Sequence, residues 1–218
     1  MTKKRLKHID RQKQIIEIAK ELVSEGGVHN LTIRKLTKKA GITEAALYRH
    51  FNSRDDVVIN LIKEVNEKLI ETIKSSINSD GNSIDDLEKI LNLHYSSIEL
   101  RKGLSFIVIL QASEFESQEI RQAGNNLVRS YLKIIEDLIY LGIKKGEIDR
   151  TVEPESASMM FFGIVQVSVT RWIFDPEHHP LNEKSKSLWN LFRTSLEFMD
   201  EDLELHRVPF QSNTNREK

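Results

Sequence analysis

Residues 32–51 read TIRKLTKKAGITEAALYRHF. Ile33, Leu36 and Ala40 recur at spacings of three and four, which sets them on one face of a helix, and Arg34, Lys35, Lys38 and Lys39 fill the rest of its surface. Thr32 can cap this helix, its hydroxyl accepting a free amide hydrogen of the first turn, and Gly41 suits the left-handed residue that ends one. Thr43 can cap a second helix in which Leu47 and Phe51, four apart, point inward. Glu44, Ala45, Tyr48 and Arg49 are then left facing out, ahead of His50 and Phe51. Two short amphipathic helices bent sharply at Ala40-Gly41 are the geometry by which a chain offers one helix to the DNA major groove.

A solvated helical hairpin whose lysines only keep the chain soluble would carry a similar run. The distribution of charge separates the two readings. Residues 1–54 hold 13 Lys and Arg against 5 Asp and Glu, a surplus of +8, while the whole chain stands at −1 and the remainder therefore at −9. Positive charge gathered into one segment points to a polyanion, because each neutralised phosphate releases condensed counterions.

With 218 residues and 39% hydrophobic content, the chain can bury a sizeable core as one moderate domain or two small ones. It has no cysteine, which excludes disulfides and thiolate metal sites and suits a reducing cytoplasm. The opening MTKKRLKHID is polar and resembles no signal peptide. It reads as a basic arm that either reaches toward a minor groove or, as the lack of an aromatic favours, adds only nonspecific attraction.

Beyond the bend, Ser53 and Asp56 have the spacing of a capping box, and Val58, Leu61, Ile62, Val65, Leu69, Ile73 and Ile77 form one stripe, predicting a long helix over about 53–77. Turn formers from Asn78 to Ser83 end it, and Ser83 with Asp86 restarts a helix. Further helices are predicted over roughly 84–100, 103–113, 117–144, 154–174 and 183–203; Gly142 inside the third and Gly146 near its end are expected to stop it early or bend it. Nothing alternates as a strand would.

From Ala157 to Phe174 the pattern is apolar on nearly every side, so this helix, with Pro154 in its first turn, must be covered all round. It is too short and too often interrupted by polar residues for a membrane span. With Leu188, Leu191, Phe192, Ser195, Leu196 and Met199 as a stripe on the last helix, the cover is a four-helix dimer interface made by the last two helices of each copy. The tail, residues 206–218, is polar and without helical period, and is expected to be flexible.

Catalytic signatures are missing: there is no nucleophile elbow, no phosphate-cradling glycine loop and no paired histidines flanking a helical glutamate. His178 and His179 in DPEHHPLN point to opposite sides of an extended loop, which favours a solvated loop over a metal site. No enzyme, metal or cofactor is expected. The body aromatics, with His94, Gln111 and Gln166 as polar handles, either fill the core, their commoner role, or line a pocket for a largely apolar small molecule.

From Gln14 to Ile62, QIIEIAKELVSEGGVHNLTIRKLTKKAGITEAALYRHFNSRDDVVINLI resembles the N-terminal domain of TetR/AcrR-type transcriptional regulators. The shared order is helix, glycine turn, Thr-started helix, Ala-Gly, Thr-started helix, Leu-Tyr-x-His-Phe, then Ser-Arg-Asp opening a long helix. The resemblance implies an all-α fold. A three-helix helix-turn-helix head with a basic arm, residues 1–55, is joined through the long helix to a helical ligand-binding and dimerisation body, residues 56–205. It implies that Thr32, Tyr48, His50 and Arg54 meet phosphates, for which all four carry donors. Thr43, Glu44, Ala45 and Arg49 are left as candidates for base edges. Arg suits guanine and Ala a thymine methyl, while Glu44 either accepts from cytosine or simply favours a helix N-terminus. The family more often has Lys-Gly or Arg-Gly where this chain has Glu44-Ala45, so no operator sequence carries over.

The implied function is a dimeric cytoplasmic regulator, a repressor, that holds a palindromic operator with recognition helices about 34–36 Å apart. It loses its grip when a small apolar effector tilts the long helix. The candidate effector-binding residues are His94, Tyr95, Phe106, Gln111, Phe115, Tyr131, Phe162 and Gln166. The competing function is a ligand-independent architectural or nucleoid-occlusion factor that recruits a protein partner. A closed body favours that alternative, an internal cavity the effector.

Overall fold

The computed structural model describes residues 8–78 and 81–197, and among them every regular element is a helix. The head comprises α1 (His8–Gly26), a 3₁₀ turn at Val28–Asn30, α2 (Ile33–Ala40) and α3 (Glu44–Leu47); the long α4 (Arg54–Ser76) leads out of it. The body adds α5 (Ser83–Leu100), α6 (Leu104–Ala112), α7 (Gln118–Lys145), α8 (Pro154–Phe174) and α9 (Leu181–Leu196).

The local signals place the head's boundaries. Thr32 Oγ1 accepts from the Lys35 amide at 3.3 Å, Gly41 takes φ 64°, and Thr43 Oγ1 accepts from the Ala46 amide at 3.2 Å. The second helix of the bend is shorter than its sequence pattern suggests: regular helix stops at Leu47, and the chain continues as a turn with Phe51 N–H donating to the Leu47 carbonyl at 3.1 Å. Ser53 caps α4 through the Asp56 amide at 3.0 Å, while the Asp56 carboxylate accepts from Asn52 N–H at 2.9 Å, one residue before the reciprocal bond of a capping box.

In the body, the start of α5 differs from the sequence prediction. Asn82, not Ser83, caps α5, accepting from the Ile84 amide at 2.8 Å, and the buried Asp86 carboxylate reaches back to Asn78 N–H at 2.9 Å. Of the two glycines in the α7 pattern, Gly142 does not stop the helix, which runs on to Gly146 at φ 71°. Its small size serves packing instead: a Cβ there would stand 2.6 Å from Ile148 Cδ1 and 3.0 Å from Ser83 Cβ.

Two apolar clusters form the interior. The first joins Leu22, Leu36, Leu47 and Phe51 of the head and Leu61 of α4 to Leu104, Val108, Ala112, Ile120 and Leu127, so its packing passes residue 55 without interruption into α6 and α7. The second gathers Leu87, Tyr95, Tyr131, Ile135, Phe161 and Phe192 in the body, and Leu69 of α4 packs against both.

Within the single chain the last two helices are covered on one face only. One face of α8 buries Ala157, Phe161, Val165 and Val169, but Met159, Met160, Val167, Ile173 and Phe174 stay exposed. With 21 residues this helix is long and apolar enough to cross a membrane, contrary to its expected shortness, yet its buried face lies in the bundle, with Phe161 and Phe192 ring centroids 5.3 Å apart. The α9 stripe also divides: Phe192 and Leu196 turn inward with Trp189, while Leu191 and Ser195 face out. Met199, the end of the last predicted helix, residues 1–7 of the basic arm and the tail lie outside the described residues.

Candidate functional site

The caps at Thr32 and Thr43 fix how α2 and α3 meet, and Thr43, Glu44, Ala45, Tyr48 and Arg49 share one exposed surface, with Thr32 exposed at the start of α2. Arg34 and Lys38 are exposed and form no ion pair among the described residues. Lys39 is neutralised within the head, its Nζ 2.9 Å from both Glu21 and Glu25.

His50 sits half-buried behind that surface. Its ring lies 4.3 Å from that of His8, its carbonyl accepts from Gln12 Nε2 at 3.2 Å, and its own Nδ1 is buried without a partner among the described residues. Burial first, then the charges of His8, Arg11 and Arg49, hold this imidazole below the usual histidine range, so it is a neutral group with one N–H to offer.

Arg54, grouped by sequence with the phosphate-facing set, turns the other way. Its Nε donates to the Leu31 carbonyl at 2.7 Å and Nη2 to the Val28 carbonyl at 3.1 Å, and the guanidinium lies 5.3 Å from the centre of the Phe115 ring. Two supposed effector contacts meet it there. Gln111 Oε1 accepts from Val28 N–H at 2.5 Å, and Phe115 stacks on His29 at 6.0 Å between centroids. Gln111, Phe115 and Arg54 therefore form a seam that fastens the head's 3₁₀ turn to the end of α6, away from the body's interior.

The other effector candidates converge, with one exception. His94, Phe106, Tyr131, Phe162 and Gln166 line a small inner space of about 10 Å³. Tyr95 is packed elsewhere in the core, its hydroxyl donating to Ser168 Oγ at 3.0 Å. Beside the inner space lies an outer one of about 20 Å³, bounded by Val65, Thr72, Ile73, Ile90, Lys68 and Arg101. That outer space shares Val65, Lys68, Arg101 and Leu104 with an open cleft of about 800 Å³ between α1, α4 and the α5–α6 corner. The cleft is lined by both charges, with Lys20 bridging Glu17 and Glu64.

Ser105, Lys68 and Arg101 were not singled out in the sequence, and Leu69 only as a member of the apolar stripe of the long helix. The corner that presents Arg101 did carry a signal: Lys102 and Gly103 take φ 52° and 72°, and Lys-Gly after an apolar helix marks a left-handed stop.

Comparison with known proteins bears on both halves. Residues 15–61 match the family described as bacterial regulatory proteins, tetR family, and residues 62–195 match that described as YsiA-like protein, C-terminal region. Similar curated proteins include the fatty acid metabolism regulator protein of Bacillus subtilis (strain 168), 28% identical over 191 residues that cover 88% of this chain and 96% of the relative. Another is the nucleoid occlusion factor SlmA of Vibrio vulnificus (strain YJ016), 26% identical over 192 residues covering 87% and 97%. Among solved structures, the transcriptional regulator FadR from Bacillus subtilis in complex with stearoyl-CoA aligns with TM-score 0.75 and 27% identity, covering 85% of this chain and 99% of that one. The fatty acid degradation regulator FadR from Bacillus halodurans aligns with TM-score 0.74 and 25% identity, covering 87% and 96%. With its bent helix pair, its long connecting helix and a helical body matched along most of the chain, this protein belongs to the tetR family of bacterial regulatory proteins, as a DNA-binding transcription regulator with a helix-turn-helix head.

Proposed function

We propose that the chain is a dimeric repressor that holds a palindromic operator through the Thr43–Arg49 surface and lets go when a long-chain acyl thioester, of the acyl-CoA class, enters the body. One observation carries the effector class. Two neighbouring interior spaces run from Arg101 and Lys68, the latter paired with Glu71 at 2.7 Å, to Phe106, Leu127, Tyr131 and Phe162, an order of cationic mouth and apolar end suited to an anionic head and an apolar chain. The structural likeness to a FadR bound to stearoyl-CoA supports the same class.

The closed state supports a switch. Spaces of about 20 and 10 Å³ each hold about one water, whereas ligand sites usually offer about 300–1,000 Å³. An acyl chain must therefore bind a more open body, and a ligand that binds one conformation better shifts the population toward it. Leu69 of α4 and Ser105 of α6 wall the space, so opening bears on the helix that carries the head and on the helix fastened to it by Gln111.

The same near-closure favours a second reading, a ligand-independent DNA-bound factor that recruits a protein, for which the SlmA likeness speaks. Bound duplexes selected from a random pool, then titrated with stearoyl-CoA, separate the two. Release by stearoyl-CoA is the expected result; unchanged operator affinity under saturating stearoyl-CoA removes the repressor-and-effector reading and leaves the other.

A further inference from the structure

The two interior spaces are separate, yet Leu69, His94 and Ser105 line both of them. Of these three only His94 is both large and polar. It is 7% exposed, and its Nδ1 stands 3.2 Å from the Tyr131 hydroxyl, with the ring centroids 5.3 Å apart. Tyr131 in turn packs on Phe162 at 5.4 Å, so the His94 ring rests against the aromatic floor of the inner space and closes it from the outer one. Ser97, Ser105 and Gln166 also line these spaces, but His94 is the polar ring set between them, where a leucine would fill the same place without needing a partner. What the hydrogen bond adds is a definite closed position, which can be left at the cost of one bond.

We infer that His94 is a chain-length gate, closing the passage from the outer chamber at Lys68 and Arg101 to the inner chamber beneath Phe106 and Tyr131, and opened only by an acyl chain long enough to outweigh its displacement. The inference rests on the acyl-effector reading above. A short chain requires only the outer chamber to widen and leaves His94 in place. A longer one meets the imidazole, must break its bond to Tyr131, and only then gains burial among Phe106, Ile109, Leu127 and Phe162. Each buried methylene tightens binding about fourfold, and one neutral hydrogen bond corresponds to about fivefold. Affinity should thus climb with chain length, pause where the chain meets His94, and climb again beyond it.

The test is a ladder of saturated acyl-CoAs, from four to eighteen carbons, titrated calorimetrically into the full-length native protein, His94→Ala and Tyr131→Phe, with thermal unfolding as the folding control. Tyr131→Phe keeps both rings and removes only the bond, so it decides the matter should the alanine variant fail to fold. Native protein should show the pause. Both variants should lose it and should bind the eighteen-carbon chain about fivefold more tightly, with the shortest chains unchanged. Variant ladders identical to the native one overturn the gate, as does weaker long-chain binding by His94→Ala, which would make His94 a ligand contact. If the native protein takes no acyl-CoA of any length, the effector reading itself has failed, and the gate with it.

Discussion

Arg49 and Arg54 lie five positions apart and carry the same group, but their surroundings give them different work. Arg49 is exposed, holding only its own turn through Nε to the Ala45 carbonyl at 3.4 Å, whereas Arg54 donates to two head carbonyls and covers Phe115. Arg49→Ala should therefore leave urea stability within about 0.5 kcal/mol, weaken duplex binding by about 1–3 kcal/mol and relax the preference at one base position. Arg54→Ala should cost on the order of 2 kcal/mol of stability, because charge-assisted bonds to carbonyls are lost and the carbonyls left without them. The opposite pattern in denaturation and anisotropy would reverse the two assignments. At His94, burial pushes the imidazole down to about 4 from an ordinary value of 6.5. The unfolded chain takes up a proton as pH falls through 6.5 and the native one does not until about 4, so stability is complete above 6.5 and declines across that window. The decline from this residue is about 2 kcal/mol between pH 7 and 5. His94→Gln, measured by urea unfolding at both pH values, should lose most of that difference; an equal decline in both proteins means that His94 is protonated or solvated in the fold.

At the scale of elements, what the sequence disclosed was local. Thr32, Thr43 and Ser53 announce helix starts because their hydroxyls act on amides two or three residues away, and those caps are where the spacing predicted them. The end of α3 was not legible for the same reason in reverse, whereas α7 ends at Gly146, one of the two glycines its pattern offered. Whether a turn stays helical past Leu47, or α7 runs through Gly142, depends on neighbours distant in the chain. The effector set suffered most. Gln111 bonds Val28 from 83 positions away, so no periodicity in α6 could tell that its side chain serves the head rather than the cavity. Apolar stripes announce burial but not the partner, which is why Leu191 and Phe192 stood in one stripe and lie on opposite faces. Gly142 offers the check on close packing: Gly142→Ala drives a methyl into Ile148 and Ser83, where relief requires the α7–α8 turn to shift. Helix propensity favours Ala by about 1 kcal/mol, but overpacking costs about 1–3 kcal/mol, so a net loss is expected in thermal or urea unfolding. A gain of stability would show that the turn yields freely.

For the whole molecule the open question is what covers α8. Met159, Met160, Val167, Ile173 and Phe174 are from 40% to 85% exposed on one helix, and Leu191 of α9 adds 68%, a concentration of apolar surface that a chain in water does not keep without a partner. Gly163, midway along α8, has nothing within 4 Å of where a Cβ would stand, which leaves room for another helix to approach its backbone. A second copy satisfies both features by two-fold symmetry, since the same patch then faces itself. It also gives the head a use for its rigidity, because only linked heads can hold two half-sites in successive grooves. Val167→Glu tests this by placing a carboxylate where the interface would strip it of water without a counter-charge. The native chain should sediment as a dimer at micromolar concentration and melt at a temperature that rises with concentration, as obligate association requires. Val167→Glu should sediment as a monomer, melt independently of concentration and bind a full palindrome no better than a half-site, while its isolated surface position leaves the helical circular dichroism intact. If Val167→Glu remains a dimer with native operator affinity, the apolar face of α8 serves some other purpose, and the spacing of the recognition helices must be set elsewhere.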